Sequence, residues 1–355
     1  GAGRPHGVGG SMSNRMAVAA ALPVAFPVAL VLALALPRPG AAADTVALQL
    51  HRPAQFEFAG YYAALWRGFY ADAGLAVEIR PGPSPGESPI DPVREVGEGR
   101  ARFGTGTAAL VIRAAQGQPL LLLAPIFQRS GAAIYYRADG DFHSPAALVK
   151  GRLGRLPASD ILDIELATAL AAEGIGPGSL HPVPVEAGGS VAALARRAVD
   201  AVPGSAWEVP WQARDKGIAL KSFDPAEYRV EFYGDTLFTT QSFADAEPGT
   251  VRRFRAASLK GWDYAFQHAD EIAVRMRAEL PAPAGVADPV GFARYQEILA
   301  RRLARYPEIP LGHSNRDRWN RIEASLVAAG ALLKRVDPAG FVYKAEAPAR
   351  PAPGA

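Results

Sequence analysis

Apolar positions two apart mark the first ordered stretch of the chain. Val46, Leu48 and Leu50 alternate with Thr45, Ala47 and Gln49, and Leu75, Val77 and Ile79 repeat the pattern. A period of two is that of a strand with one face on a core. Between the two strands the period lengthens to four: Tyr61, Leu65 and Phe69 share a face with Tyr62 and Trp66 beside them, which predicts a helix over residues 59–72. Gly74 follows, where a helix commonly ends in a left-handed turn. Residues 56–62 thus fall between the carboxyl end of a strand and the first turn of a helix, the place where open α/β sheets bind ligands. Phe56, Tyr61 and Tyr62 are therefore candidate ligand contacts, with core packing as the alternative; Leu65 and Phe69 read as core.

Strand and helix signals go on alternating, which predicts an α/β fold built of parallel βα units. A Pro/Gly-rich loop at 81–89 and a short helix from Pro92 lead to a strand at 102–103, a helix at 107–116 and a buried strand at 120–127. The stretch 131–137 reads as the chain crossing into a second lobe. There the pattern gives strands at 152–156, 183–186 and 199–202, helices at 160–173 and 190–197, and a short helix after Trp211 that ends at Gly217. The chain returns to the first lobe at 228–232 and is then mainly helical, at 248–268, 269–280, 290–306 and 316–334. The expected organisation is an N-terminal extension and signal peptide (1–43), a first lobe (44–132), a second lobe (133–230), the remainder of the first lobe with C-terminal helices (231–344), and a disordered Pro/Ala-rich tail (345–355). No internal repeat is evident.

Arg15 precedes an uncharged apolar run of 22 residues, 16–37, which Arg38 and Ala41-Ala42-Ala43 follow. That order is the layout of a secretory signal peptide, with cleavage expected after Ala43. The run is also long enough to span a bilayer, so a retained anchor is the alternative; Pro23, Pro27 and the excess of Ala over Leu favour cleavage. Residues before Met12 are set aside as an upstream extension. The formal charge of +3 falls to zero when Arg4, Arg15 and Arg38 are removed with no acid. A neutral chain without a basic stripe gives no support for a nucleic-acid partner. Zero cysteines in 355 residues exclude disulfides, thiolate metal sites, cysteine nucleophiles and a lipoprotein anchor. A soluble periplasmic monomer is expected, with two lobes because about 300 residues exceed one small core.

Gly104-Thr-Gly-Thr-Ala-Ala109 fits the pattern G-x-G-x-x-A, but no Asp or Glu follows before Ala138 to hold a ribose, so a dinucleotide site is not expected. Thr105 and Thr107 are left either to cap the next helix or to meet a ligand. Ser159 and Asp160, at the start of the 160–173 helix, are caps first and ligand contacts second. Trp207 offers a stacking plane and Glu208 a carboxylate after the 199–202 strand. Asp235, with Tyr233 and Thr236 beside it, is either a Gly-Asp turn residue or a ligand contact where the chain re-enters the first lobe. Phe127 and Gln128, where the 120–127 strand ends, complete the candidate set. No H-E-x-x-H, G-x-S-x-G or Walker pattern occurs, and the six histidines lie far apart, so no metal and no cofactor is expected and each histidine reads as surface or structural.

The segment QFEFAGYYAALWRGFYADAGLAVEI resembles the N-terminal signature of the NMT1/THI5-like periplasmic substrate-binding proteins. EGRARFGTGTAAL, EYRVEFYGDTLFTT with ASLKGWDYAFQH, and IPLGHSNRDRW match further along, in collinear order over roughly residues 46–343. The resemblance implies a type II periplasmic binding protein, two βα lobes with a ligand cleft between them. It implies no enzymatic activity, a thiamin-pyrimidine precursor or related aminopyrimidine as ligand, and the permease of an ABC importer as partner. An aromatic cleft with carboxylates suits such a flat heterocycle, since rings stack on π faces and a carboxylate accepts hydrogen bonds from an amino group and a ring N–H. A sensory module with a membrane signalling partner is the first alternative, and a sulfonate- or nitrate-binding protein the second. Two departures are plain. Tryptophan at 207 replaces a small polar residue, and Val209 separates Glu208 from Pro210. The pyrimidine synthases of the family carry a cysteine-rich run needed for iron where this chain has Tyr233, Gly234, Asp235 and Thr236, which removes the support for pyrimidine synthesis.

Overall fold

The computed structural model describes residues 44–84, 86–155, 163–186 and 188–344. The expected signal peptide and tail, and the candidates Ser159 and Asp160, lie outside the described residues. In chain order the strands are β1 (Asp44–Gln49), β2 (Leu75–Arg80), β3 (Phe103–Gly106), β4 (Leu120–Pro125), β5 (Ala132–Arg137), β6 (Arg152–Arg155), β7 (His181–Pro184), β8 (Ala201–Ser205), β9 (Leu220–Phe223) and β10 (Thr236–Thr240). They form two five-stranded sheets, ordered β2-β1-β3-β10-β4 and β7-β6-β8-β5-β9.

Four strands of each sheet run the same way and the fourth in order, β10 or β5, runs against them. β1 pairs in parallel with β2 and β3, and β6 with β7 and β8. β10 runs antiparallel to β3 and β4, and β5 antiparallel to β8 and β9. In each sheet the antiparallel member is the strand that has just crossed from the other one. β9 and β10 escape the sequence reading for different reasons. β9 is four residues long with two of them exposed, and β10 follows a Gly-Asp pair that reads as a turn.

Both sheets are covered on both faces. From β1 and its end, Val46, Leu48 and Leu50 pack with Phe58, Tyr61, Phe254 and Trp262, while Ala47 faces the cluster of Val96, Phe238 and Trp319. Ile134 and Tyr136 of β5 belong to one cluster of the second lobe, and Ala133 and Tyr135 to the other. With both faces covered, β1 is buried at every position from Val46 on, and Gln49 is buried with the rest.

The expected 59–72 helix is two helices, Ala59–Trp66 and Phe69–Asp72, because Gly68 between them adopts φ 75°. Such a value suits a residue without Cβ. Helix Ala59–Trp66 lies on helix Pro248–Gln267 at very short range. A Cβ on Gly60 would stand 2.1 Å from the Trp262 ring, and one on Gly261 would stand 2.1 Å from the carbonyl oxygen of Gly60.

Two crossing segments, 126–131 and 224–235, join the sheets. They pair with each other: the Ile126 N–H donates to the Asp235 carbonyl at 2.8 Å and the Gly234 N–H to the Phe127 carbonyl at 2.9 Å. Ala206, just past β8, donates to the Gly131 carbonyl at 2.7 Å. The crossing strands and the ends of β1, β3 and β8 therefore converge on one place.

Candidate functional site

At that convergence lies a cleft of about 50 Å³ whose walls come from both lobes. His51 and Arg52 lie two and three residues past the end of β1, Glu57 sits in the 3-10 turn Phe56–Phe58, and Asp235 stands one residue before β10. The opposite wall carries Asp163 and Glu165 at the start of helix Ile164–Ala172, and Ser205 at the end of β8.

The electrostatics centre on four side chains. Thr105 Oγ1 accepts the backbone N–H of His51 at 3.2 Å and lies 2.9 Å from His51 Nδ1. His51 Nε2 turns toward the carboxylates, 3.8 Å from Glu57 Oε1 and 3.7 Å from Asp235 Oδ1. Burial, with Arg52 adding to it, lowers the imidazole pKa to about 3, so the ring is neutral. Burial pushes the Glu57 carboxyl up, and pushes Asp235 well up with the help of the facing Glu57. Burial works against the Arg52 guanidinium, yet Glu57, Glu208, Asp235 and Asp163 outweigh it and hold the group charged. Glu165, buried in the far wall, is raised by that burial to about 8.

Several buried polar atoms here have no hydrogen-bond partner among the described residues: His51 Nε2, Asp235 Oδ2, Tyr61 Oη and Trp262 Nε1. Each such atom costs roughly 1–3 kcal/mol when left dry. Native proteins keep few of them, and of the four only Asp235 Oδ2 belongs to a residue that lines the cleft.

The structure sorts the sequence candidates. Thr107, Trp207 and Asp235 line the cleft. Trp207 is not an exposed stacking plane; it is 2% exposed and packs against Phe127, ring centroids 5.1 Å apart. Thr105 does not line the cleft but anchors His51, and neither threonine caps a helix, since the next one begins at Ala109 with Ala108 as its uncapped N-cap. Glu208 sits at the rim, 3.7 Å from Arg52. Phe56, Tyr61, Tyr62 and Phe127 are core: Tyr61 stands edge-on to Trp262 and Tyr62 leans on Trp66. Gln128 donates to the His313 carbonyl, Tyr233 packs on Trp319 and accepts the Asn315 N–H, and Thr236 donates to the Gly234 carbonyl.

His51, Arg52, Glu57, Asp163 and Glu165 escaped the sequence reading. His51 is not a surface histidine, and the signal for it was position: it is two residues past a strand's carboxyl end. Glu57 had a signal too, a lone carboxylate inside the otherwise apolar run from Phe56 to Ala64.

A model of the family described as NMT1/THI5 like matches residues 55–272, more than half of the chain. The chain belongs to the NMT1/THI5-like family. No curated protein sequence matches it. Among solved structures it is similar to a protein from Bordetella bronchiseptica RB50, at 21% identity and TM-score 0.62 over 84% of this chain and 94% of that one. It is similar to the alkanesulfonate-binding protein SsuA from Xanthomonas axonopodis pv. citri bound to MOPS, at 13% identity and TM-score 0.58 over 86% and 100%. The desulfurization enzyme DSZB is similar at 16% identity and TM-score 0.52 over 84% and 96%. These likenesses establish for this NMT1/THI5-like chain the two-lobed α/β architecture of periplasmic binding proteins. Among its described residues no helix is long and apolar enough to cross a membrane.

Proposed function

We propose that the protein is a periplasmic substrate-binding protein, not an enzyme, that hands a small amino-bearing heterocycle of the aminopyrimidine type to an ABC importer. The observation that carries this reading is the acceptor pair of Asp235, which lines the cleft, and His51 beside it, where Asp235 Oδ2 and His51 Nε2 have no hydrogen-bond partner among the described residues. A carboxyl oxygen and the bare nitrogen of a neutral imidazole both accept, and so receive an amino group and a ring N–H. The same cleft disfavours sulfonate or nitrate. Its lining carries the acids Glu57, Asp163, Glu165 and Asp235 and one cation, Arg52, which Glu57 and Asp163 already face, so no cation is left over for an anion among the lining residues.

A space of about 50 Å³ holds a few waters and not a heterocycle. Binding therefore proceeds through separation and reclosure of the lobes, as in hinge-type binding proteins. A thermal-shift screen against 4-aminopyrimidines, thiamin, taurine and nitrate tests the reading. An aminopyrimidine at about a hundredfold over its dissociation constant adds roughly 2.7 kcal/mol of stability. Stabilisation by taurine or nitrate, with none by the heterocycles, would overturn it.

A further inference from the structure

We propose that His51, Glu57 and Asp235 form a binding site for a divalent transition-metal ion of the zinc class at the floor of the cleft. The three side chains each offer one donor atom, and the three atoms lie within 4.8 Å of one another. His51 Nε2 is 3.8 Å from Glu57 Oε1 and 3.7 Å from Asp235 Oδ1. An ion about 2.0–2.2 Å from each donor sets neighbouring donors roughly 3.0–3.5 Å apart, so the two histidine–carboxylate pairs need inward shifts of a few tenths of an ångström and the two carboxyl groups draw together around the ion.

The imidazole is already oriented for this. Nδ1 is engaged by Thr105 Oγ1 at 2.9 Å, which leaves Nε2 to face the two carboxylates without a hydrogen-bond partner. A ring nitrogen held by an outer partner while the other faces carboxylates is the arrangement that fixes a ligating histidine. Asp235, 7% exposed, likewise keeps Oδ2 unpartnered. One nitrogen and two oxygen donors suit the divalent ions from Mn²⁺ to Zn²⁺, with affinity rising from Mn²⁺ to Cu²⁺ and falling again at Zn²⁺.

His51 and Glu57 belong to the lobe of the first sheet, and Asp235 stands in the crossing segment one residue before β10 of the same sheet. The site shares its floor with the proposed heterocycle pocket but stands on these donors whatever organic ligand the cleft takes.

Calorimetric titration of the full chain, stripped with a chelator, with Zn²⁺, Ni²⁺ and Mn²⁺ tests the site. The expected result is one ion per chain, bound more tightly for Zn²⁺ and Ni²⁺ than for Mn²⁺. His51→Ala and Asp235→Asn each lower the affinity about a hundredfold or more, Thr105→Val lowers it roughly ten- to a hundredfold through the lost outer partner, and His313→Ala, at an exposed histidine elsewhere, leaves it unchanged. Circular dichroism serves as the folding control. Should a variant fail to fold, the visible spectrum of the Co²⁺-loaded parent decides, with intense bands expected for a four-coordinate protein site and the weak bands of hydrated Co²⁺ overturning it. Absence of one-to-one binding, or equal affinity in His51→Ala, also overturns the site. Heterocycle binding measured in chelator separates the two readings, since it fails or succeeds without the ion.

Discussion

Gln296 donates from Nε2 to the carbonyl oxygen of Trp207 at 3.3 Å, tying helix Pro289–Ala304 of the first lobe to the segment that leaves the second sheet. The same amide donates to Gln55 Oε1 at 2.7 Å and accepts the Phe56 N–H at 3.1 Å. Gln55 in turn donates to Glu57. One side chain therefore spans the lobes and braces the turn that carries a cleft carboxylate.

Replacing Gln296 by Ala leaves the buried Phe56 N–H and the Gln55 side chain without this partner. The expected loss is about 1–3 kcal/mol of unfolding free energy, read from denaturant titration. Small-angle scattering of the same variant should give a larger radius of gyration than the parent. A variant within experimental error of the parent in both would show that the amide does not latch the lobes.

The contact of helices Ala59–Trp66 and Pro248–Gln267 allows no added methyl group. Gly261→Ala should cost about 1–3 kcal/mol or more, because the new Cβ meets the Gly60 carbonyl and the backbone must shift. Gly249, in the same helix with nothing within 4 Å of an added Cβ, is the internal control. Gly249→Ala should be neutral or stabilising by up to about 1 kcal/mol. Thermal unfolding of the pair makes the comparison.

Glu165 gives stability a pH dependence of defined sign. Its folded pKa of about 8 lies above the ordinary 4.5, so between those values the folded protein holds a proton that the unfolded chain releases. This contribution falls as pH rises through that window, and is fully lost above about 8. Glu165→Gln removes the dependence. The variant should match the parent near pH 4 and exceed it at pH 8.5 by about 2–4 kcal/mol. Equal stability at both pH values would place the carboxyl in water.

Asp235 and Glu208 should not contribute equally to binding, although the sequence offers them as a pair. Asp235 is buried at the cleft floor, and its loss should weaken heterocycle binding by about 1.5–3 kcal/mol. Glu208 is 41% exposed and faces Arg52 across 3.7 Å at the rim. Glu208→Ala should cost less than about 1 kcal/mol, the scale of an exposed ion pair. Calorimetric titration of both variants decides the order.

What could be read from the sequence follows the range of the forces involved. Strands β1 and β2 and the four long helices announce themselves because burial repeats at two or about four residues within one segment. The site does not, because His51, Glu57 and Asp235 meet through a sheet that brings residues 184 positions apart side by side. Asp235 was legible as a candidate through its place at the re-entry to the first lobe. Tyr61 and Tyr62 misled because an aromatic at a strand end has the same signature whether it faces a ligand or a neighbouring helix. Here Trp262, about 200 residues later, claimed the Tyr61 ring.

The position of β10 between β3 and β4 bears on when the protein can become stable. Until residue 236 has been made and delivered, β3 and β4 have no strand between them, and each presents open backbone donors and acceptors. The first lobe therefore cannot mature ahead of the second, although most of its strands emerge earlier. The first sheet reaches its final order only when the later half of the chain arrives.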